Sequence, residues 1–324
     1  MIEGHGDDAY RYRDIRSDFS SNICAHGSHQ GLLDHLAAHP ELIDHYPEPE
    51  AWSLEKMIAE RHDIDPSQVL VTSGATEAIY LIAQSFRLRP VIPEPTFSEY
   101  ADACSIFNGQ CSMFSGQCLW LCNPNNPTGE VYDQLYIDRM MAEHELVVLD
   151  QSYENYTDAH VMWPRWGCRL PNLIQIHSMT KDYGVPGLRL GYITAHESLT
   201  EQLRRHMRPW SVSALAVEAG KYLLEHDELI CRPDLQEAKR LGDKLRQMMA
   251  MQVAPSSTNF MLCRLRHRSA AELKEYLAGE HHILIRDASN FRGLTPQHFR
   301  IAAQTPAEND ALAEAIYQFI IHNS

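Results

Sequence analysis

Lys181 stands in Ser178-Met179-Thr180-Lys181, directly after an apolar run at 173–177, and Gly187-Leu188-Arg189-Leu190-Gly191 follows shortly. A lysine between hydroxyl side chains, at the end of a buried strand and upstream of an arginine, has the setting for nucleophilic attack on a carbonyl. Partial desolvation and nearby positive charge favour the neutral amine that a Schiff base requires. The arginine adds a planar fork of donors suited to a phosphate.

Three more segments carry chemistry, and each also begins where an apolar run ends. In Ser73-Gly74-Ala75-Thr76-Glu77, small side chains let the backbone N–H groups of a helix start approach a phosphate, and the Thr76 hydroxyl is a further donor. Asn123-Pro124-Asn125-Asn126-Pro127-Thr128-Gly129 is a rigid turn that presents the Asn126 amide near a sheet edge. Asp150-Gln151-Ser152-Tyr153 closes the run at 146–149. A carboxylate at the end of a buried strand is costly unless it meets a cation or a set of donors. A protonated pyridine nitrogen is such a cation, and holding its proton makes the ring an electron sink.

The elements that must position these groups follow from the patterning. A helix is expected at 52–61, a strand at 69–72, a Gly-Ala turn and a helix from about 77 to 85, which is a β-turn-α unit. Short apolar runs at 119–122, 146–149, 173–177 and 191–194 suit buried parallel strands. The alternation predicts an α/β fold with a mostly parallel, doubly wound sheet and a ligand site along the carboxyl edges of its strands. Beyond about 206 the pattern turns helical, near 215–225 and 234–251, with short strands near Phe260, Ile283 and Phe299: a smaller α+β domain. Thr305-Pro306-Ala307-Glu308 opens the last helix with a cap, a first-position proline and a capping-box glutamate. We expect a turn-rich, extended N-terminal arm (1–45), a large domain (46–205) and a small C-terminal domain (206–324).

Composition narrows the partners. The 324 residues carry a formal net charge of -15, which argues against nucleic acid or an anionic membrane as the main partner, while a few arginines can still build a local anion pocket. Eight cysteines show no C-x-x-C spacing, so no disulfide framework or zinc knuckle is expected. Neither an apolar signal core at the start nor a run of membrane-spanning length is present, and a cytoplasmic enzyme with free thiols is the expectation.

The four motifs, in this order, resemble those of the class I/II aminotransferases of pyridoxal 5′-phosphate (PLP) fold type I, and the likeness covers nearly the whole chain. The resemblance implies that Lys181 holds PLP covalently and that Ser178 and Arg189 bind its phosphate beside Gly74, Ala75 and Thr76. It implies further that Asp150 pairs with the pyridine nitrogen, that Tyr153 and Asn126 hold the ring hydroxyl, and that Phe97 stacks on the ring face. Tyr46, in His45-Tyr46-Pro47, matches a tyrosine that reaches the cofactor phosphate of a neighbouring subunit, which implies a homodimer with shared active sites.

Within the family the chain is most similar to histidinol-phosphate aminotransferases and the related L-threonine-O-3-phosphate decarboxylases, both of which act on phosphorylated, amino-acid-like substrates. In that resemblance Arg300 takes the substrate's anionic group nearest Cα, and Arg286 is the candidate for a second anion. Gly4-His5-Gly6, the arm Asp18-Phe19-Ser20-Ser21-Asn22-Ile23, and the stretch from Ile283 to Phe291 resemble the decarboxylase branch, which adds His5 and Asn22 as substrate-side candidates. The expectation is therefore a lyase similar to threonine-phosphate decarboxylase of cobalamin biosynthesis, with a transaminase similar to histidinol-phosphate aminotransferase of histidine biosynthesis as the alternative. Two departures stand out: Cys24 and Ala25 occupy the places of the branch's second Asn and its Pro, and the stretch between Phe97 and Asn123 is short enough to have lost a strand-helix element.

Overall fold

A computed structural model describes residues 8–23, 28–107 and 116–322. A two-residue strand of the arm, β1 (Ser17–Asp18), precedes the six strands of the main sheet. These are β2 (Val69–Thr72), β3 (Pro90–Val91), β4 (Cys118–Cys122), β5 (Leu146–Asp150), β6 (Leu173–His177) and β7 (Gly191–Ala195), in the order β2-β7-β6-β5-β4-β3. Strands β3 to β6 run parallel, as expected for β4, β5 and β6; β3 was not expected. The parallel strand expected at 191–194 is corrected: β7 lies antiparallel to both β2 and β6. An apolar run reports burial on both faces and carries no sign of direction. Between β6 and β7 the chain makes only a four-residue helix and a three-residue 3-10 turn, with no helix of the length that usually carries a crossover.

Every residue of these strands is buried, and successive side chains feed two different cores. On one face Leu70, Trp120, Val148, Ile174 and Ile193 pack under helices Gly74–Ser85, Glu99–Phe107 and Glu197–Arg204. On the other, Val69, Val71 and Tyr192 meet Leu54 and Ile58 of helix Trp52–His62 and Ala216, Val217 and Leu223 of helix Ala214–Leu224. That last helix, beyond the expected domain boundary at 205/206, thus buries its apolar side on the main sheet. Between Phe97 and β4 only helix Glu99–Phe107 stands among the described residues.

The second sheet is antiparallel. Strands β8 (Met251–Val253), β9 (Phe260–Leu265), β10 (Ile283–Leu284), β11 (Arg286–Asp287) and β12 (His298–Ala302) follow in sequence, and four of them pair in the order β11-β12-β9-β8. Helices Leu235–Arg246, Ala270–His281 and Pro306–His322 cover this sheet. The expected helix at 234–251 ends at Arg246, because Met251 already belongs to β8. Thr305 caps the last helix as expected: its Oγ1 donates to Glu308 Oε2 at 2.5 Å, and the same carboxylate accepts from the Thr305 N–H at 3.2 Å.

The arm is not the loose, extended segment its turn residues suggest. β1 pairs in parallel with β10, and Phe19 is wholly buried in the small-sheet core. Residues Gln30–Ala37 form a helix that packs on helix Ala214–Leu224 through Leu32. Gly31, which reads as a turn former in the sequence, is there for closeness: a Cβ on it would lie 2.6 Å from the Tyr222 hydroxyl.

Candidate active site

A cavity of about 240 Å³ opens where the carboxyl ends of β4, β5 and β6 face β11 and β12. It gathers residues that lie far apart in sequence. Ala75, Thr76, Phe97, Asn126, Asp150, Tyr153, Ser178, Lys181, Arg189, Arg286 and Arg300, all expected from the sequence, line it.

One wall is built on the main sheet. Asp150, the last residue of β5, is buried, and burial pushes its carboxyl up; the Ser152 and Tyr100 hydrogen bonds pull the other way. Tyr100 Oη donates to Asp150 Oδ2 at 2.7 Å, and the Ser152 N–H donates to Oδ1 at 2.9 Å. Two donors thus favour the charged form of a carboxyl that burial, the larger effect, pushes toward the neutral one. Lys181 lies on the short helix Met179–Asp182 just past β6, and its Nζ donates to the backbone carbonyl of Ser21 in the arm at 2.7 Å. The same Nζ stands 5.8 Å from the centre of the Tyr153 ring. Burial pushes the Tyr153 phenol up to about 12, and its oxygen accepts from Asn22 Nδ2 at 3.3 Å.

The phosphate end follows from local backbone form. Gly74, with φ +81°, opens helix Gly74–Ser85, and a Cβ there would sit 2.7 Å from Arg189 Nη2. Only glycine lets the guanidinium come this close to the helix start. Among the described residues the Thr76 and Ser178 hydroxyls have no protein partner, and Arg189 donates only to the Pro186 carbonyl, at 3.2 Å. Unspent donors, a helix start and a guanidinium form a set that a phosphate satisfies.

The opposite wall belongs to the small sheet. Arg300 of β12 and Arg286 of β11 are direct cross-strand partners, each 4% exposed. Arg300 Nη1 donates to Asn126 Oδ1 at 2.5 Å and Nη2 to the Ser20 carbonyl, while Nε has no partner. Arg286 Nη2 donates to Asn290 Oδ1 at 2.8 Å, and its guanidinium lies 5.3 Å from the centre of the Phe291 ring. Burial lowers both guanidinium groups to about 10, and for Arg286 the neighbouring Arg300 charge adds to this. Among the described residues neither is ion-paired with a carboxylate.

Four expected residues lie elsewhere. Gly74 supports the cavity from beneath Arg189. Asn22 is fully buried behind Tyr153, with φ +60°, and does not line the cavity. Tyr46 is 86% exposed, its ring 5.3 Å from that of Trp210. His5 lies outside the described residues. Sequence reasoning missed Tyr100, which stacks on Trp120, meets Phe97 edge-on and grips Asp150. Its position three residues after Phe97, at the start of helix Glu99–Phe107, was the available signal. Ser20 and Ser21 were missed as well, since nothing local marks a backbone carbonyl as an acceptor, and so was the Phe291 ring against Arg286.

A lysine beyond one strand, an aspartate ending the next, and a glycine-opened helix start beside an arginine define a lysine-centred, phosphate-cofactor enzyme. The model for aminotransferase class I and II matches residues 17–117 and 111–316, and the chain belongs to that family. The crystal structure of L-threonine-O-3-phosphate decarboxylase from Porphyromonas gingivalis is 37% identical, with a TM-score of 0.90, over 94% of this chain and 99% of that one. Threonine-phosphate decarboxylase of Salmonella typhimurium is 29% identical, covering 92% of this chain and 90% of its own length. Histidinol-phosphate aminotransferase of Caldanaerobacter subterraneus is 27% identical, over 86% and 85%. The cofactor of this enzyme is PLP.

Proposed function

We propose that this chain is a PLP-dependent decarboxylase of a small phosphorylated amino acid, with L-threonine O-3-phosphate as the expected substrate and cobalamin biosynthesis as the setting. The observation that carries the reading is the pair of buried guanidinium groups, Arg286 and Arg300, which face one cavity without a carboxylate between them. Two desolvated like charges call for a ligand with two anionic groups, here a carboxylate and a phosphate. The 37% identity to a decarboxylase of this kind supports the choice of reaction.

The cavity's groups fit PLP: the cradle at Gly74 and Arg189 suits its phosphate, and the Asp150 carboxyl suits its pyridinium, whose charge would favour the carboxylate form. When bound, PLP supplies the electron sink that accepts the pair left at Cα as carbon dioxide departs. The chain's own groups do the rest. Lys181 gives up its bond to Ser21, anchors the cofactor, and afterwards delivers a proton to Cα. Asp150 would hold the proton on the ring nitrogen, Tyr153 and Asn126 would bond the ring hydroxyl, Phe97 would pack on the ring, and Thr76, Ser178 and Arg189 would hold the phosphate. Arg300 would hold the anionic group nearest Cα and Arg286 the distal one, which would fix the substrate's orientation in the cavity and with it the group that is released.

Incubation of the purified enzyme with L-threonine O-3-phosphate should release carbon dioxide and aminopropanol phosphate with no keto acid added. Turnover that instead requires a keto acid and yields no aminopropanol phosphate would reject decarboxylation in favour of transamination. We also read the protein as a cytoplasmic homodimer. Tyr46 stands exposed at the surface, where a second copy would bring its cofactor phosphate. Light scattering should return the dimer mass, and a monomeric, active enzyme would overturn that reading. No helix among the described residues is long and apolar enough to cross a membrane.

A further inference from the structure

We propose that His35, His39 and Glu218 form a binding site for one divalent transition-metal ion of the zinc class, which fastens the N-terminal segment to the helix that covers the main sheet. Each residue offers one ligand atom, and these atoms lie within 4.8 Å of one another. Among the described residues no other cluster of three potential ligands meets this condition. His35 sits in helix Gln30–Ala37, His39 follows two residues after its end, and Glu218 sits in helix Ala214–Leu224. The set therefore joins two segments far apart in sequence.

The chemistry of the set favours a metal over a simple ion pair. His35 Nε2 already lies 2.9 Å from Glu218 Oε1, and both side chains are about a quarter exposed, at 26% and 22%. A pair this accessible contributes little by itself. His39 is not needed for that pair, yet its ring centre stands 4.6 Å from that of His35. Its Nδ1 lies 2.8 Å from the His35 carbonyl. A carbonyl only accepts, so Nδ1 is the donor and Nε2 is the nitrogen left for a metal. This is the arrangement by which an outer partner fixes the tautomer of a ligating histidine.

Two neutral imidazoles and one carboxylate against a doubly charged ion leave one net positive charge, and a coordination place remains open to water. Metal–ligand bonds of about 2.0–2.2 Å around a tetrahedral ion place donors roughly 3.4 Å apart, so a pair at the 4.8 Å limit must close by about 1.4 Å. Rotation of these partly exposed side chains provides that. Lys221 Nζ lies 3.7 Å from Glu218 Oε2, and its partly exposed side chain can swing to solvent. The two helices are already held close, with Gly31 against the Tyr222 hydroxyl, so the ion would lock a packed contact and not draw separate parts together.

The test is calorimetric titration of zinc chloride into the full-length, PLP-loaded enzyme, alongside His39→Ala and Glu218→Gln. His39→Ala leaves the His35–Glu218 pair intact, and neither variant touches the active-site cavity, so folding can be verified by circular dichroism and by the cofactor absorbance band. The wild type should bind one tight equivalent per chain and gain thermal stability with it. Each variant should bind that equivalent at least tenfold more weakly and lose the thermal gain. Absence of a tight equivalent in the wild type, or its retention in either folded variant, overturns the proposal.

Discussion

The cavity has two walls of opposite construction. On the main-sheet wall a buried carboxyl, Asp150, is surrounded by donors from Tyr100 and Ser152, and the phosphate end is a ready set of unspent donors. On the small-sheet wall two buried cations, Arg286 and Arg300, lie on paired strands with only neutral acceptors, Asn126, Asn290 and the Ser20 carbonyl. The first wall is electrostatically complete once a cationic, phosphorylated ring lies against it. The second holds uncompensated charge until an anionic ligand arrives, so its strain is relieved by substrate binding and its loss should be felt there.

Four experiments would break or sharpen this contrast. Lys181→Ala should cause the largest change. It removes the covalent anchor, so borohydride no longer fixes the cofactor, and loss of proton transfer alone should cut turnover by roughly 10²–10⁴-fold. Turnover at the wild-type rate would remove the main-sheet wall from the chemistry. Arg300→Gln comes next. Truncating one partner of a buried, hydrogen-bonded charge pair costs about 2–5 kcal/mol, read here as lower kcat/KM with cofactor absorbance unchanged. Arg286→Gln should fall in the same range for a phosphorylated substrate and show little effect on one lacking the distal anion. Equal losses on both would show that the small-sheet wall does not divide its two anions as argued.

Tyr100→Phe should have a smaller effect on the main-sheet wall. A hydrogen bond to a charged group contributes about 1.5–3 kcal/mol, so kcat should fall by about tenfold or more with KM nearly constant. The sign of the pH effect follows from Asp150. Burial raises its carboxyl and the Tyr100 hydroxyl lowers it, so removing the hydroxyl raises it further. The carboxylate is then protonated earlier as pH falls, and the acid limb of the kcat profile should move to higher pH. The other groups facing this carboxylate are Ser152, Cys122, His177 and Tyr153, all retained in the variant. An unmoved limb would mean that Ser152 alone keeps Asp150 ionised. The smallest effect belongs to neither wall: Thr305→Ala removes a helix cap and should cost about 0.5–2 kcal/mol of stability with activity unchanged.

The contrast also explains how much could be read from the chain. Each main-sheet group except Tyr100 follows a buried strand or a turn within a few residues, so local pattern places it: Asp150 ends β5, and Lys181 lies four residues past β6. The direction of β7 was not legible, because an apolar strand looks the same from either end. The packed arm was not legible either, because Gly31 signals a turn in sequence and a close helix contact in space. Arg286 and Arg300 could be singled out only by likeness; that they stand opposite each other depends on an antiparallel register that neither segment announces.

By itself the sequence determined the strand-turn-helix units, the lysine, the aspartate, the phosphate donors and hence the cofactor, since these rest on neighbours a few residues away. Tertiary structure alone decided which arginines share the cavity, that Tyr100 supports Asp150, and that the arm supplies the Ser20 and Ser21 carbonyls. Strand pairing and long-range packing bring these together, and their energies depend on burial that no short stretch of chain contains.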